Sequence, residues 1–278
     1  MKKRLSKKSL ALRCVLVSLL FILILWTAWG NTALMVSNIT VSGSCIPSVF
    51  SGFRIAHVSD LHNAQFGENN KVLLQVLSQT TPDIIVITGD LVDAQRTDIG
   101  IAIDFAKGAV GIAPVYYVTG NHEASLPRTE YDQLIAGLEA AGVVVLDNEV
   151  TQLEYNGEAV AIIGLSDPAA MASAKLNRLM DDEESYAILL SHRPELFEDY
   201  VNCGIDLVLS GHAHGGQFRL PFIGGLIAPD QGLFPKYDAG LYTDGSTNMV
   251  VSRGLGNSII PVRFNNRPEI VLVEFNAE

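Results

Sequence analysis

Six short runs of apolar, mostly β-branched residues punctuate this chain, and each stops abruptly at a turn. Ile55–Val58 runs into Ser59-Asp60, Ile84–Thr88 into Gly89-Asp90, and Val115–Val118 into Gly120-Asn121-His122 after one threonine. Ile162-Ile163 stops at Gly164, Ile188–Leu190 at Ser191-His192, and Leu207–Leu209 at Ser210-Gly211-His212. Runs this short and apolar fit buried strands. Helical patterns separate them, at Lys71–Gln79, Asp98–Gly108 and Glu130–Ala141. Strand alternating with helix predicts an α/β domain with a layered sheet. In open α/β sheets, ligands gather beyond the carboxyl ends of strands. Five of these ends carry an Asp, Asn or His, so chemistry is expected there.

The front of the chain has another character. Cys14 to Trp29 carries no charge, and Leu10–Leu12 extend the apolar stretch across Arg13. A helix rises about 1.5 Å per residue, so residues 10–29 come close to the roughly 30 Å hydrocarbon core of a bilayer. Arg13 snorkels at one face, and Trp26 and Trp29 suit the other. Six positive charges lie ahead of Cys14, which predicts a cytoplasmic N-terminus and a membrane anchor with everything after it outside. A cleaved signal peptide is the rival reading. The expected organisation is a cytoplasmic basic tail at 1–9, a transmembrane anchor at 10–29, a linker and edge strand at 30–50, and a catalytic domain at 51–278. Residues 218–268, rich in Gly and Pro, are expected to form a long loop over the site before the chain returns in short strands such as Met249–Ser252 and Ile270–Glu274.

Charge narrows the partners. No acidic residue precedes Asp60, and that front end carries +7. With a formal net charge of −11 for the whole chain, residues from Asp60 onward carry −18. So acidic a domain repels polyanions, and no nucleic acid partner is expected.

Five of the six histidines stand at strand ends beside Asp, Asn or Gly: His62, His122, His192, His212 and His214. Asp60-x-His62 sets a carboxylate and an imidazole on one turn, and His212-x-His214 sets two imidazoles on another. Asp90, Asn121 and His192 come from three more. Mixed oxygen and nitrogen donors suit Zn, Mn or Fe and suit Cu(I) poorly. Seven donors exceed one tetrahedral site. They fit two divalent metal ions sharing a carboxylate, a pair that clamps the attacking and leaving oxygens of a phosphoryl displacement.

The blocks Asp60-Leu61-His62, Gly89-Asp90-Leu91-Val92-Asp93, Gly120-Asn121-His122-Glu123, Ser191-His192 and Gly211-His212-Ala213-His214 resemble the calcineurin-like metallophosphoesterase family, in family order. His214-Gly215-Gly216-Gln217, Val251–Gly256 and Pro261–Phe264 resemble its membrane-associated bacterial branch. The resemblance implies a four-layer αββα sandwich of two mixed sheets flanked by helices, preceded here by the transmembrane helix. It implies that Asp60, His62 and His214 hold one metal, Asn121, His192 and His212 the other, and that Asp90 bridges. His122 would protonate the leaving oxygen, and Asp93 would orient His122. The implied activity is hydrolysis of a phosphodiester, phosphomonoester or pyrophosphate bond by metal-activated water. The membrane anchor adds the expectation of a lipid-linked or cell-envelope substrate. A non-catalytic metal-binding envelope scaffold and an exported nuclease are the alternatives. The chain departs from the family's protein phosphatases at Ala94, where they carry arginine, so a phosphoprotein substrate is not expected.

Several residues carry plainer expectations. His57 lies within the first strand and is expected to be packed and hydrogen-bonded. Glu123 reads as a charge at a helix start, and Arg253 and Arg263 as salt-bridging or surface residues, with contact to a substrate phosphate as the alternative. The apolar residues between Phe218 and Phe234 read as packing under the loop, with a lipid-facing lip as the alternative.

Overall fold

The computed structural model describes residues 7–181, 183, 185–258 and 260–278. Part of the expected basic tail, residues 1–6, lies outside them. A helix α1, Lys7–Thr32, comes first, and its segment Leu10–Thr32 is long and apolar enough to cross a membrane.

Two six-stranded sheets follow. The first contains β1 (Met35–Gly43), β2 (Arg54–Val58), β3 (Ile84–Thr88), β4 (Val115–Val118) and the short β5 (Val144–Val145). The second contains β6 (Val150–Tyr155), β7 (Glu158–Leu165), β8 (Ala187–Ser191), β9 (Leu207–Ser210), β10 (Gly240–Asp244) and β11 (Thr247–Val251). The last strand, β12 (Glu269–Ala277), returns to the first sheet between β1 and β2, giving the order β1-β12-β2-β3-β4-β5. The second sheet runs β10-β11-β9-β8-β7-β6. Both are mixed: β2, β3, β4 and β5 are parallel while β12 opposes β2, and β7, β8, β9 and β11 are parallel while β6 and β10 oppose their neighbours.

Side-chain alternation stacks the layers. In β3, Ile84 and Val86 face one core while Ile85 and Ile87 face another. In β7, Val160 and Ile162 face the first of these cores while Ala161, Ile163 and Leu165 face a third. A period of two puts successive residues on opposite faces of a strand. The shared core joins Ile55, Ile84, Val86 and Val118 of one sheet to Ile162, Ile188, Leu190, Leu207 and Leu209 of the other. Helices α2 (Lys71–Gln79), α3 (Ile99–Val110) and α5 (Arg128–Ala140) cover the outer face of the first sheet through Leu73, Leu77, Phe105 and Leu134. Helices α6 (Ala172–Leu179) and α7 (Phe197–Asn202) cover the second through Leu176, Phe197 and Tyr200. The result is the four-layer αββα sandwich.

Residues 218–268 hold more pairing than a plain loop. Two-residue ladders join Arg219–Leu220 to Gly224–Gly225 and Ile227–Ala228 to Gly232–Leu233. The hairpin of β10 and β11 follows.

Candidate metal centre

The candidate ligands all stand just beyond strand carboxyl ends. Asp60 and His62 follow β2, and Asp90 follows β3. Asn121 opens a one-turn helix α4 (Asn121–Ala124) after β4, His192 follows β8, and His212 and His214 follow β9. The structure brings these turns together beyond the carboxyl ends of central strands from both sheets.

Local backbone strain accompanies the convergence. Asp60, His62, Asp90, His212 and His214 all have left-handed backbones, with φ from +47° to +64°. Such a conformation at a non-glycine residue costs about 1–3 kcal/mol and persists only where surrounding structure enforces it. Asp and His tolerate it better than most. Glycine makes the close approach possible: a Cβ at Gly211 would collide with Asp60 Oδ2, and one at Gly120 would collide with Asp90 Oδ1.

Two adjoining clusters result. Asp60 Oδ1 lies 3.4 Å from His214 Nε2 and 3.8 Å from His62 Nε2, and those two ring nitrogens are 3.2 Å apart. Asp90 Oδ2 lies 3.1 Å from His192 Nε2, which is 3.2 Å from His212 Nδ1. The clusters touch, since Asp90 Oδ2 is 3.5 Å from His62 Nε2 and Asp60 Oδ1 is 3.9 Å from His192 Nε2. In each, Asp60-His62-His214 and Asp90-His192-His212, one donor atom per residue lies within 4.8 Å of the others. Imidazole nitrogens aimed at each other oppose their lone pairs unless a proton or a cation stands between them.

The donor set fits divalent cations on a further observation. Asn121 Oδ1 is buried and has no hydrogen-bond partner among the described residues. An unsatisfied buried acceptor costs about 1–3 kcal/mol, which a cation ligated there would offset. Electrostatics agree. Burial opposes charge at Asp60, yet His214, His62 and His192 outweigh it and hold this carboxyl well below its usual range. Asp90 is likewise held low, chiefly by His192 against the cost of burial. Burial alone would neutralise His192, but Asp90 and Asp60 lift its imidazole to about 10. The site thus attracts positive charge even at the expense of desolvation. Burial pushes His214 down to about 3, so this ring is neutral, whereas His192 carries a proton that a cation would displace.

His122 sits at the rim, half-buried, its ring edge-on to His62 at 4.5 Å between centroids. Its backbone N–H donates to Asp90 Oδ1 at 2.9 Å. The expected hydrogen-bonded orientation by Asp93 takes a different form. Asp93 accepts from the Gln95 N–H at 2.8 Å and from Arg96 at 3.0 Å, because its own turn curls back on it. The backbone N–H of Ala94, one residue along, donates to His122 Nδ1 at 3.0 Å. That bond leaves the ring proton on Nε2, which lies 3.1 Å from Ser258 Oγ.

Four residues gain roles that sequence reasoning missed. Glu123 is not a surface charge. It is fully buried, and its carboxylate accepts from the N–H groups of Asp90 and Gly120, each at 2.8 Å, and of Val92 at 3.2 Å. It staples the β3 turn to the β4 turn. Arg263 is not a surface residue either. It is 1% exposed, with Nη2 3.3 Å from His214 Nδ1 and donors on the carbonyls of Arg253 and Gly256. Asp230 lies 2.9 Å from His212 Nε2, leaving His212 Nδ1 toward the cluster. Arg193 ties Asp230 to Asp167. The Glu123 position, next to Asn121-His122, offered a signal. Arg263 was singled out in the sequence without its buried place beside His214, and Asp230 and Arg193 offered no signal, since only tertiary structure brings them in. His57 is buried, with Nε2 2.8 Å from Thr88 Oγ1.

Comparison with known proteins gives a consistent picture. Residues 53–216 match the family model described as calcineurin-like phosphoesterase. The chain is 33% identical over 242 residues to the metallophosphoesterase YkuE of Bacillus subtilis (strain 168), spanning 84% of this chain and 82% of that one. It is 30% identical over 238 residues to phosphodiesterase YaeI of Escherichia coli (strain K12), spanning 80% and 82%. Among solved structures, TT1561 of Thermus thermophilus superposes with a TM-score of 0.52 at 16% identity, over 73% of this chain and 90% of that one, a likeness of fold.

Proposed function

The chain belongs to the calcineurin-like phosphoesterase family and is a metal-dependent hydrolase of phosphoric esters, and from that premise we propose how its residues divide the work. Asp60, His62 and His214 would hold one divalent cation, Asn121, His192 and His212 would hold the other, and Asp90 would be shared between them. The observation that carries this reading is the meeting of two buried donor clusters around Asp60 and Asp90, beside the unpartnered Asn121 oxygen. Mn, Zn and Fe all suit such donors. When bound, the cations supply Lewis acidity toward the phosphoryl oxygens and lower the pKa of water. The bond cleaved is a phosphodiester, phosphomonoester or pyrophosphate.

The chain's own residues do the rest. His122, held at Nδ1 by the Ala94 N–H, presents Nε2–H to the departing oxygen. Burial holds the His122 imidazole below its usual range, and the negative charges of Asp90 and Asp93 offset part of that. Glu123 fixes the two turns that carry Asp90 and Asn121. Ala94 leaves the place of the protein phosphatases' arginine without a cation, which speaks against phosphoprotein substrates.

Residues 1–9 form a cytoplasmic tail, 10–29 the anchor, 30–50 the link with its edge strand, and 51–278 the catalytic domain outside the cytoplasm. The exposed apolar surface of α1 supports this arrangement, as does the positive charge ahead of it.

The test joins elemental analysis to turnover of aryl phosphate mono- and diesters by the purified full chain in detergent. Two ions per chain and metal-dependent hydrolysis are expected. Asp90→Asn should lose both ions and turnover. Two tightly held ions and undiminished hydrolysis in that variant would refute the bridging role.

A further inference from the structure

We propose that the substrate of this centre carries a hydrocarbon chain, and that the chain lies in the apolar cavity beside His214, entered from the bilayer surface; the inference rests on the phosphoesterase reading above. The cavity holds about 310 Å³ and is walled by Ile227, Ala228, Pro229 and Ile260. Its polar residues are His214, Gln217 and Ser258. Ser258 touches His122 Nε2 and His214 belongs to the Asp60 cluster, so the cavity opens directly onto the centre. A phosphate ester bound there projects its substituent against an aliphatic wall. A sugar or nucleotide substituent would leave its hydroxyl and amide groups unpaired against that wall, at a cost in binding.

The rim outside the cavity is apolar too. Phe222 is fully exposed with Ile223 exposed next to it, and Leu233, Phe234 and Val262 are exposed as well. Ile227 pairs with Leu233, and Phe234 N–H donates to the Leu226 carbonyl, so Leu233 and Phe234 of the rim share one hairpin with Ile227 and Ala228 of the cavity wall. Exposed apolar surface on this scale marks a contact with lipid or with a partner.

The anchor decides for lipid. Asn31, near the end of α1, donates to the Arg263 carbonyl at 2.8 Å and accepts from the Arg263 N–H at 2.8 Å. Arg267 lies over the Trp29 ring at 4.8 Å and donates to the carbonyls of Ala33 and Leu34. Gln217, in the cavity, donates to the carbonyls of Ile260 and Val262, next to Arg263. A continuous set of hydrogen bonds therefore runs from the tryptophan end of the spanning helix to the cavity wall. Tryptophans at a helix end sit at head-group level. The cavity is thereby held close to that level, where an amphiphile presents its phosphate.

The experiment uses the full chain in phosphatidylcholine vesicles with Mn²⁺. Two p-nitrophenyl phosphodiesters are compared, identical except that the second ester is methyl in one and dodecyl in the other. Burying even a few methylenes predicts a dodecyl-to-methyl ratio of kcat/KM of roughly tenfold or more. The pair Ile227→Ser with Ile260→Ser should bring that ratio down toward one, and Ile227→Leu with Ile260→Leu should keep it. A wild-type ratio near one overturns the inference. So does a ratio that the serine pair leaves unchanged, because membrane partitioning alone then explains it. Hydrolysis of neither ester would remove the phosphoesterase reading and this inference together, a different outcome from equal hydrolysis of both.

Discussion

Single residues at the centre act through position more than identity. The seven candidate ligands were legible in the sequence because metal chemistry requires those side-chain types beside strand ends. Their strain was not, since φ at Asp60 or His214 depends on how the turns pack. Glu123 was misread because a carboxylate at a helix start is ordinarily solvated, whereas here three amide N–H groups from two turns close over it. Replacing it with glutamine puts an NH₂ group against at least one of those donors. Glu123→Gln should destabilise the fold by about 1–3 kcal/mol, read as a shifted urea midpoint, and should weaken metal retention in a dialysis series. Equal stability and equal retention would show that the staple is dispensable. His122→Ala should keep both ions and slow alkyl esters far more than p-nitrophenyl esters, by roughly 10²–10⁴ against much less. A uniform loss across leaving groups would remove the proton-donor role.

Secondary-structure elements show a different balance. Strands β2, β3, β4, β8 and β9 fall within a residue of the runs that announced them, because continuous β-branched stretches have no competing helical period. Helix ends drifted by one or two residues for local reasons. The Asp98 side chain accepts from the Ile101 N–H and caps α3, which begins at Ile99, and Pro127 starts α5 at Arg128 instead of Glu130. Within 218–268 the strand near Met249–Ser252 was legible and matches β11, whereas ladders of two residues have no periodicity to read. Ile162 of β7 belongs to the core between the sheets and is fully buried. Ile162→Ala should cost about 2–5 kcal/mol through lost burial and the residual cavity, seen as a lower melting temperature. Metal content per folded chain should not change, because β7 carries no candidate ligand. A loss of metal without a loss of stability would contradict that separation.

At the scale of the whole molecule, charge and topology work together. The basic front end and the acidic remainder were readable at once, whereas the fastening of α1 to residues 257–267 was not, because it joins segments more than 220 residues apart. The proposed orientation has a direct test in a residue already present. Cys45 is an exposed free thiol just beyond β1. A membrane-impermeant maleimide added to intact spheroplasts should label the chain, and Cys45→Ser should remove most of that label. Labelling that appears only after lysis would place the domain on the cytoplasmic side.

Strand β1 touches the first sheet only through β12, along nine paired residues from Met35↔Glu269 to Gly43↔Ala277. The earliest strand to leave the ribosome must therefore wait for the latest before it finds its neighbour. Throughout synthesis the sheet keeps an open margin that β12 must close, and such distant pairing slows folding. A nonsense codon a few positions short of β12 would cost far more than its length suggests: it would leave β1 without its ladder and remove the Glu269 carboxylate that accepts from the Arg253 N–H.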